Sequence, residues 1–252
     1  MGKGVPLTPK KTKKDMGFAV LHINKGSGNG AALGRHNDRL QTVLNADPSR
    51  SNLNFKLQPK EIIEPGGIIK KSIALGGERL EDRIKKRSEE GYKGEKAIRK
   101  DAVRYLNIVL TGSHAEMKAI EKDPVKLKKW ITTNYLFIRD KFSEENIVGF
   151  YIHRDEKTPH IHAVVVPLTK DGRLSAKEVM GNKIKLSELQ TDYSSAIEKG
   201  GFGDTLKRGI KGSKAKHTDI NWYYGKVNEA IGNKSLKNDK NKPKGNDFNM
   251  GI

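Results

Sequence analysis

The sequence predicts an α+β domain built on a largely antiparallel central sheet with flanking helices. Strand-like and helix-like segments alternate without the regular crossover units of a parallel sheet. Two apolar runs, residues 146–153 and 160–168, stand six residues apart, the separation of an antiparallel hairpin. Residues 124–142 place Leu127, Trp130, Ile131, Tyr135, Ile138 and Phe142 at helical spacing, which gives one apolar face to lay against a sheet. On that pattern Trp130 and its neighbours belong to the core.

Along the chain, residues 1–15 combine Pro, Gly and Lys with almost nothing to bury and read as a basic flexible arm. Residues 16–23 read as a strand, the glycine-dense stretch after it as a flexible connection, and residues 35–44 as a helix with apolar spacing at Leu40, Val43 and Leu44. The glycine loop lacks the Gly-Lys-Ser/Thr end of a phosphate cradle. Residues 52–57 alternate like a short strand, 78–90 form a charged, solvated helix, 103–111 a strong strand, and 186–199 a further helix. From Gly212 polar residues dominate. The expected domain therefore covers residues 16–220, and 221–252 form a short helical or disordered basic tail.

The 252 residues, 35% hydrophobic, suffice for one sizeable core. Lys and Arg number 49 against 30 Asp and Glu, a formal charge of +19, and such a field calls for an anionic partner, nucleic acid first. A membrane surface would attract the same charge. With no run apolar enough to span a bilayer and no signal-peptide core, the expected location is cytoplasmic. The chain has no cysteine, which excludes disulfides, thiolate zinc sites and cysteine nucleophiles. Any metal must sit on His, Asp or Glu.

Residues 153–162 carry that chemistry. Side chains alternate along a strand, so His160 and His162 share a face while Ile161 points to the other. Folding back over the hairpin brings His153 opposite them, with cross-strand Cβ atoms about 5 Å apart. Three neutral imidazoles leave coordination positions open, as in a catalytic metal site. Asp155 and Glu156 stand ready to complete the shell or act as a base. A single His-x-His pair would read as ordinary polar residues; the third histidine, two acids and Pro159 in the turn favour metal. The ligands alone leave Zn2+ open beside Mg2+ or Mn2+.

The run His153-Arg-Asp-Glu-Lys-Thr-Pro-His160-Ile-His162 resembles the signature of plasmid mobilisation/recombination (Mob/Pre, MobV-type) relaxases, a branch of the histidine-hydrophobic-histidine (HUH) endonucleases. Two further blocks agree: Gly34-Arg-His36-Asn-Asp-Arg39 followed by Asp47-Pro-Ser-Arg50-Ser-Asn-Leu-Asn54, and Ala97-Ile-Arg99-Lys-Asp101-Ala. The resemblance spans residues 16 to about 217. It implies a metal held by His153, His160 and His162 with Glu156 close by, and His36 as the nucleophile. It also implies nicking of one strand at a transfer origin, attachment to the 5′ phosphate, and religation. A neutral imidazole attacking phosphorus would give a phosphoramidate, which keeps a reactive bond for that religation. Arg39, about one turn beyond His36, would neutralise charge on the phosphate. Arg35, Arg50, Asn54, Arg99 and Lys100 become DNA contacts. The implied cofactor is Mn2+ or Mg2+, with Zn2+ the alternative. The implied partners are single-stranded and hairpin origin DNA, with a second copy or a coupling protein as protein contacts. Such relaxases often carry a C-terminal extension, which here reads as short or missing.

Two other readings stay open at this level. Tyr223-Tyr224-Gly-Lys226 and helical Tyr193 lie after the histidine pair, where replication initiators carry a tyrosine nucleophile. Helix packing is the plainer role for both. The absence of Tyr before Tyr92 favours His36. The other reading is a non-catalytic DNA-binding regulator with a structural zinc.

Overall fold

The computed structural model describes residues 17–57, 63–64, 68–69 and 73–209. The expected basic arm, the 221–252 tail and Tyr223 lie outside these residues. In chain order the elements are β1 (Gly17–Gly26), α1 (Ala31–Asn37), β2 (Phe55–Leu57), β3 (Ile63–Glu64), β4 (Ile68–Ile69), α2 (Leu80–Gly91), β5 (Tyr105–Gly112), α3 (His114–Glu121), α4 (Pro124–Phe142), β6 (Ile147–His153), β7 (His160–Val165), α5 (Ala176–Met180), α6 (Lys183–Ile197) and β8 (Leu206–Arg208). Among the described residues no helix is long and apolar enough to cross a membrane.

Six strands form one sheet in the order β2-β6-β7-β5-β1-β8, antiparallel except where β8 runs parallel to β1. The mixed α/β architecture with a mostly antiparallel sheet is the one the sequence predicts. The β6–β7 hairpin closes in the register His153↔His160 and Tyr151↔His162, and β5 pairs on the other side with Val109↔His162.

Alternation gives the sheet two unlike faces. Leu106, Ile108, Leu110, Phe150, Ile152, Ile161, Ala163 and Val165 turn toward α4 and α6, where Trp130, Tyr135, Ile138, Tyr193 and Ile197 complete the main core. Asp123 caps α4 by accepting from the amides of Val125 and Lys126, and Pro124 opens its first turn. Asn182 caps α6 in the same way, accepting from Ile184 and Lys185. On the opposite face a smaller cluster packs Leu80 and Ile84 of α2 on Val148, Tyr151, Val164 and Val166. The histidines lie on this second face.

Two local expectations are corrected. The helix placed at residues 35–44 is instead α1, which ends at Asn37; Arg39 adopts a left-handed φ of 55°, and Leu40 and Leu44 are 64% and 88% exposed. Their apolar spacing is not burial. Asp38 and Arg39 are drawn to partners elsewhere, described below, and the chain turns away. Residues 52–57 are not one strand. Pro48–Leu53 form a 3-10 helix, with Asp47 accepting from the amide of Ser49, and only Phe55–Leu57 pair in the sheet. The short elements α3 and β8 were not legible, having too few residues for a period to emerge.

Candidate active site

Strand pairing sets the three hairpin histidines side by side. Ring centroids are 5.2 Å apart for His153 and His160, 5.1 Å for His153 and His162, and 5.0 Å for His160 and His162. Each ring has one nitrogen engaged by an oxygen acceptor. His153 Nε2 donates to the Asn37 carbonyl (2.9 Å), His160 Nδ1 to the Thr158 carbonyl (3.0 Å), and His162 Nδ1 to Asn107 Oδ1 (3.0 Å). These acceptors fix the tautomers. The lone pairs left over are on His153 Nδ1, His160 Nε2 and His162 Nε2.

Two of those lone-pair nitrogens, His153 Nδ1 and His160 Nε2, face each other at 3.4 Å. With both ring protons committed elsewhere, the contact is repulsive until a cation sits between them. The span suits two imidazoles bound at about 2.1 Å to one ion. Protonation is disfavoured as the remedy. Burial pushes His153 well below the ordinary imidazole range, and the neighbouring His162 and His160 push it the same way. His162 is likewise driven down by burial and then by His160 and His36. The donor set therefore fits a divalent metal.

His36 enters from the last turn of α1. Its ring meets His153 and His162 edge-on, with centroids 6.0 and 5.6 Å away. Ligand-capable atoms of His36, His153 and His162 lie within 4.8 Å of one another, as do those of His153, Glu156 and His160. Burial, then the positive Arg39, lower the His36 pKa below its usual 6.5, while Glu156 and Asp155 pull the other way. The ring is neutral at neutral pH and half-buried.

Three consecutive residues after His36 lock α1 to the metal hairpin. The Asn37 carbonyl accepts from His153. The Asp38 carboxylate accepts from Lys56 Nζ (3.2 Å) and the Gly76 amide (2.8 Å), a buried pair that ties the helix end to β2. Arg39 donates to both Asp155 oxygens (2.9 and 2.7 Å), to Glu156 (2.8 Å), and to the His36 carbonyl (3.0 Å). These four bonds offset the left-handed backbone of Arg39, which costs about 1–2 kcal/mol. The sequence predicts a phosphate contact for this guanidinium; in the structure it is bonded to the hairpin carboxylates and to the His36 carbonyl. Burial raises the Asp155 carboxyl, but Arg39 and Asn54 outweigh it and keep the group ionised.

The remaining candidates divide. Arg50 sits beside the hairpin, bonded to Glu121 (3.0 Å). Asn54 is buried, and its Oδ1 accepts from the amides of Arg154 (2.7 Å) and Asp155 (3.2 Å), which shapes the hairpin. Arg35 is exposed on α1 near the site. Arg99 and Lys100 are exposed in the turn leading into β5 at Tyr105; since Leu106 pairs with Val165 and Leu110 with Ile161, that turn enters β5 at the end away from His160. Tyr193 is 1% exposed and donates to Asn134 Oδ1 (2.8 Å). It lies in the core on the far side of the sheet, and burial drives its pKa far upward. There it packs, the plainer of the two roles the sequence offered.

Asn107, Thr158 and Lys56 were missed. Asn107 alone left a signal, a polar residue inside the apolar run of β5.

The sign of the pH dependence of stability follows from the depressed histidines. The unfolded chain takes up protons near 6.5 that the folded one refuses, so their stabilisation is complete above that pH and lost as pH falls below it. The melting temperature of the metal-free protein is expected to fall steadily from about pH 7.5 to about pH 5. A flat profile over that window would show that the rings are not held neutral.

A mostly antiparallel sheet carries His160-Ile161-His162 on a central strand, with His153 across the hairpin and His36 from a helix, the histidine-hydrophobic-histidine arrangement that the sequence resemblance implies. The sequence profile of the plasmid recombination enzyme (Mob_Pre) family matches residues 16–225, and the chain belongs to that family. It is 32% identical over 217 residues to a 65 kDa protein of Zymomonas mobilis, covering 85% of this chain and 33% of that protein. It is 33% identical over 140 residues to the type 3 plasmid recombination enzyme of Staphylococcus aureus, covering 56% of this chain and 33% of the relative. The chain thus spans about a third of the length of these two relatives. Among solved structures it is similar to the MobM relaxase domain in a Mn-bound crystal form with 22-nt plasmid pMV158 oriT DNA: TM-score 0.69, 27% identity, 83% of this chain and 99% of that one. The same domain with 26-nt oriT DNA gives a TM-score of 0.63 at 25% identity, over 82% of this chain and 99% of that one.

Proposed function

We propose that this chain is the relaxase domain of a plasmid mobilisation protein, nicking one strand of a transfer origin by transesterification. The observation that carries the reading is the packing of His153, His160 and His162, ring centroids 5.0–5.2 Å apart and each with one nitrogen left without an oxygen acceptor, beside His36. Membership of the family and similarity to a Mn-bound, oriT-bound relaxase support it.

His153, His160 and His162 would hold a divalent ion, which we take to be Mn2+ with Mg2+ as the substitute, and it would supply Lewis acidity toward the scissile phosphate. The rest belongs to the chain. A nitrogen of neutral His36 forms a bond to phosphorus as the P–O3′ bond breaks. The departing 3′ oxygen takes a proton from solvent, the His36 ring gives its remaining N–H proton back to solvent, and the 5′ phosphate stays on His36 as a phosphoramidate. Glu156 and Asp155, whose fields raise the His36 pKa, offset the positive charge arriving on the ring. Arg39, paired with both carboxylates, holds them in place. Attack by the 3′ hydroxyl reverses the step.

The test incubates the protein with Mn2+ and a supercoiled plasmid bearing its origin. Open-circle product with protein on the 5′ end, abolished by chelator, is expected. Tyr193→Phe should nick at the wild-type rate while losing about 1–3 kcal/mol of stability, since Asn134 Oδ1 is left without its donor. Tight DNA binding with no nick under any of these conditions would make the protein a regulator instead.

A further inference from the structure

Beyond the histidines, one carboxylate gathers an excess of positive charge at the hairpin tip. Glu121, at the end of α3, accepts from Arg50 Nη2 (3.0 Å) and Arg154 Nε (3.3 Å) on one oxygen and from Lys118 Nζ (2.5 Å) on the other. Its side chain is 8% exposed, whereas those of Arg50, Lys118 and Arg154 are 30%, 29% and 21% exposed. The cations thus lie between the carboxylate and solvent. Among the described residues, Nε and Nη1 of Arg50 and both Nη atoms of Arg154 donate to no further oxygen.

Glu121 balances one of the three cations, and Asp47, whose charge interacts with Arg50 while its Oδ1 accepts from the amide and hydroxyl of Ser49, offsets part of a second. Positive charge is therefore in excess at this spot, and the cations repel in a partly desolvated setting. The exposed Lys157 on the hairpin adds to the excess. An arrangement that costs free energy alone is relieved when a dianion or a phosphodiester arrives, and guanidinium forks match phosphate oxygens.

The cluster is also fixed relative to the histidines. Arg154 directly follows His153, and its amide is pinned by Asn54. The hairpin tip is held by Thr111 Oγ1 donating to the Pro159 carbonyl and by His114 bonded to Thr158 Oγ1.

We infer that Arg50, Lys118 and Arg154, organised by Glu121, form an anion site that takes a phosphodiester of the DNA strand flanking the one held at the histidines. The strand therefore runs over the hairpin tip. This rests on the reading of the chain as a DNA-nicking domain, but its test requires no cleavage.

The test measures binding of a 20-residue oligothymidylate, without metal, across a series of salt concentrations. Arg50→Gln, Lys118→Gln and the Arg50→Gln/Arg154→Gln pair are compared with wild type and with Lys126→Gln/Lys128→Gln, exposed positions on α4. Loss of one phosphate contact lowers the slope of log K against log salt by about 0.7. The paired variant should show that loss and bind about tenfold more weakly at low salt, with the α4 control unchanged. Retained Mn2+ affinity and melting temperature identify folded variants; if the pair fails to fold, the single variants at Arg50 and Lys118 carry the comparison. Folded variants with wild-type affinity and slope would overturn the site, whatever the nicking assay shows. A protein that never nicks but shows the slope change would keep the site and lose the relaxase reading.

Discussion

His36→Ala lowers the rate of strand nicking by at least about 1,000-fold, some 4 kcal/mol of barrier, while Mn2+ affinity stays within about threefold of wild type. The ring is the half-buried member of a group whose other two, His153 and His162, are buried and have fixed tautomers. It is also anchored through its own backbone, since the Asn37 carbonyl and Arg39 are bonded to the hairpin whatever stands at position 36. Its removal should therefore leave the metal site standing. The measurement separates two roles that proximity alone leaves joined, because His36, His153 and His162 also lie close enough to share an ion. A ligand role would lower Mn2+ affinity and nicking together. A nucleophile role removes nicking alone.

His162→Ala raises the Kd for Mn2+ by more than about 100-fold, at least roughly 2.8 kcal/mol, and nicking falls with it. His162 Nε2 is one of three free lone pairs, and two imidazoles on neighbouring strands make a poor cage for an ion. Asn107→Ala tests the same point one bond further out. Without the Oδ1 that holds the Nδ1 proton, the ring can present the wrong nitrogen, and Mn2+ affinity should drop about 10–100-fold. Calorimetric titration with Mn2+ reads both. Wild-type affinity in His162→Ala would place the ion elsewhere, on the group formed by His153, Glu156 and His160.

The parts of this site legible in the sequence are those governed by a short period. Alternation put His160 and His162 on one face, and the six-residue gap brought His153 opposite His160, as the register shows. The helix at residues 124–142 was legible for the same reason, its buried positions recurring every third or fourth residue. What stayed hidden depends on partners far along the chain. The acceptor of His153 is 116 residues away and that of His162 is 55 away, so no local pattern reveals which nitrogen each ring offers. Arg39 reads as a phosphate contact because it lies about one turn beyond His36, and Asn54 reads as a DNA contact through the family resemblance; their partners at Asp155, Glu156 and the hairpin amides emerge only from the fold. Leu40 and Leu44 mimic a helical stripe, but Asp38 and Arg39 pull the backbone out of α1 before that stripe begins. His36 joined the site through family resemblance. Spacing alone would have left it on the surface of a helix.

The central claim is that three histidines hold the ion and a fourth makes the bond. The most direct test traps the covalent complex on an origin oligonucleotide cleaved in the presence of Mn2+, digests it under mildly alkaline conditions that spare a phosphoramidate, and maps the modified residue by mass spectrometry. The account predicts a nucleotide on His36. A nucleotide on a tyrosine, or a nicked strand with no protein attached, would contradict it.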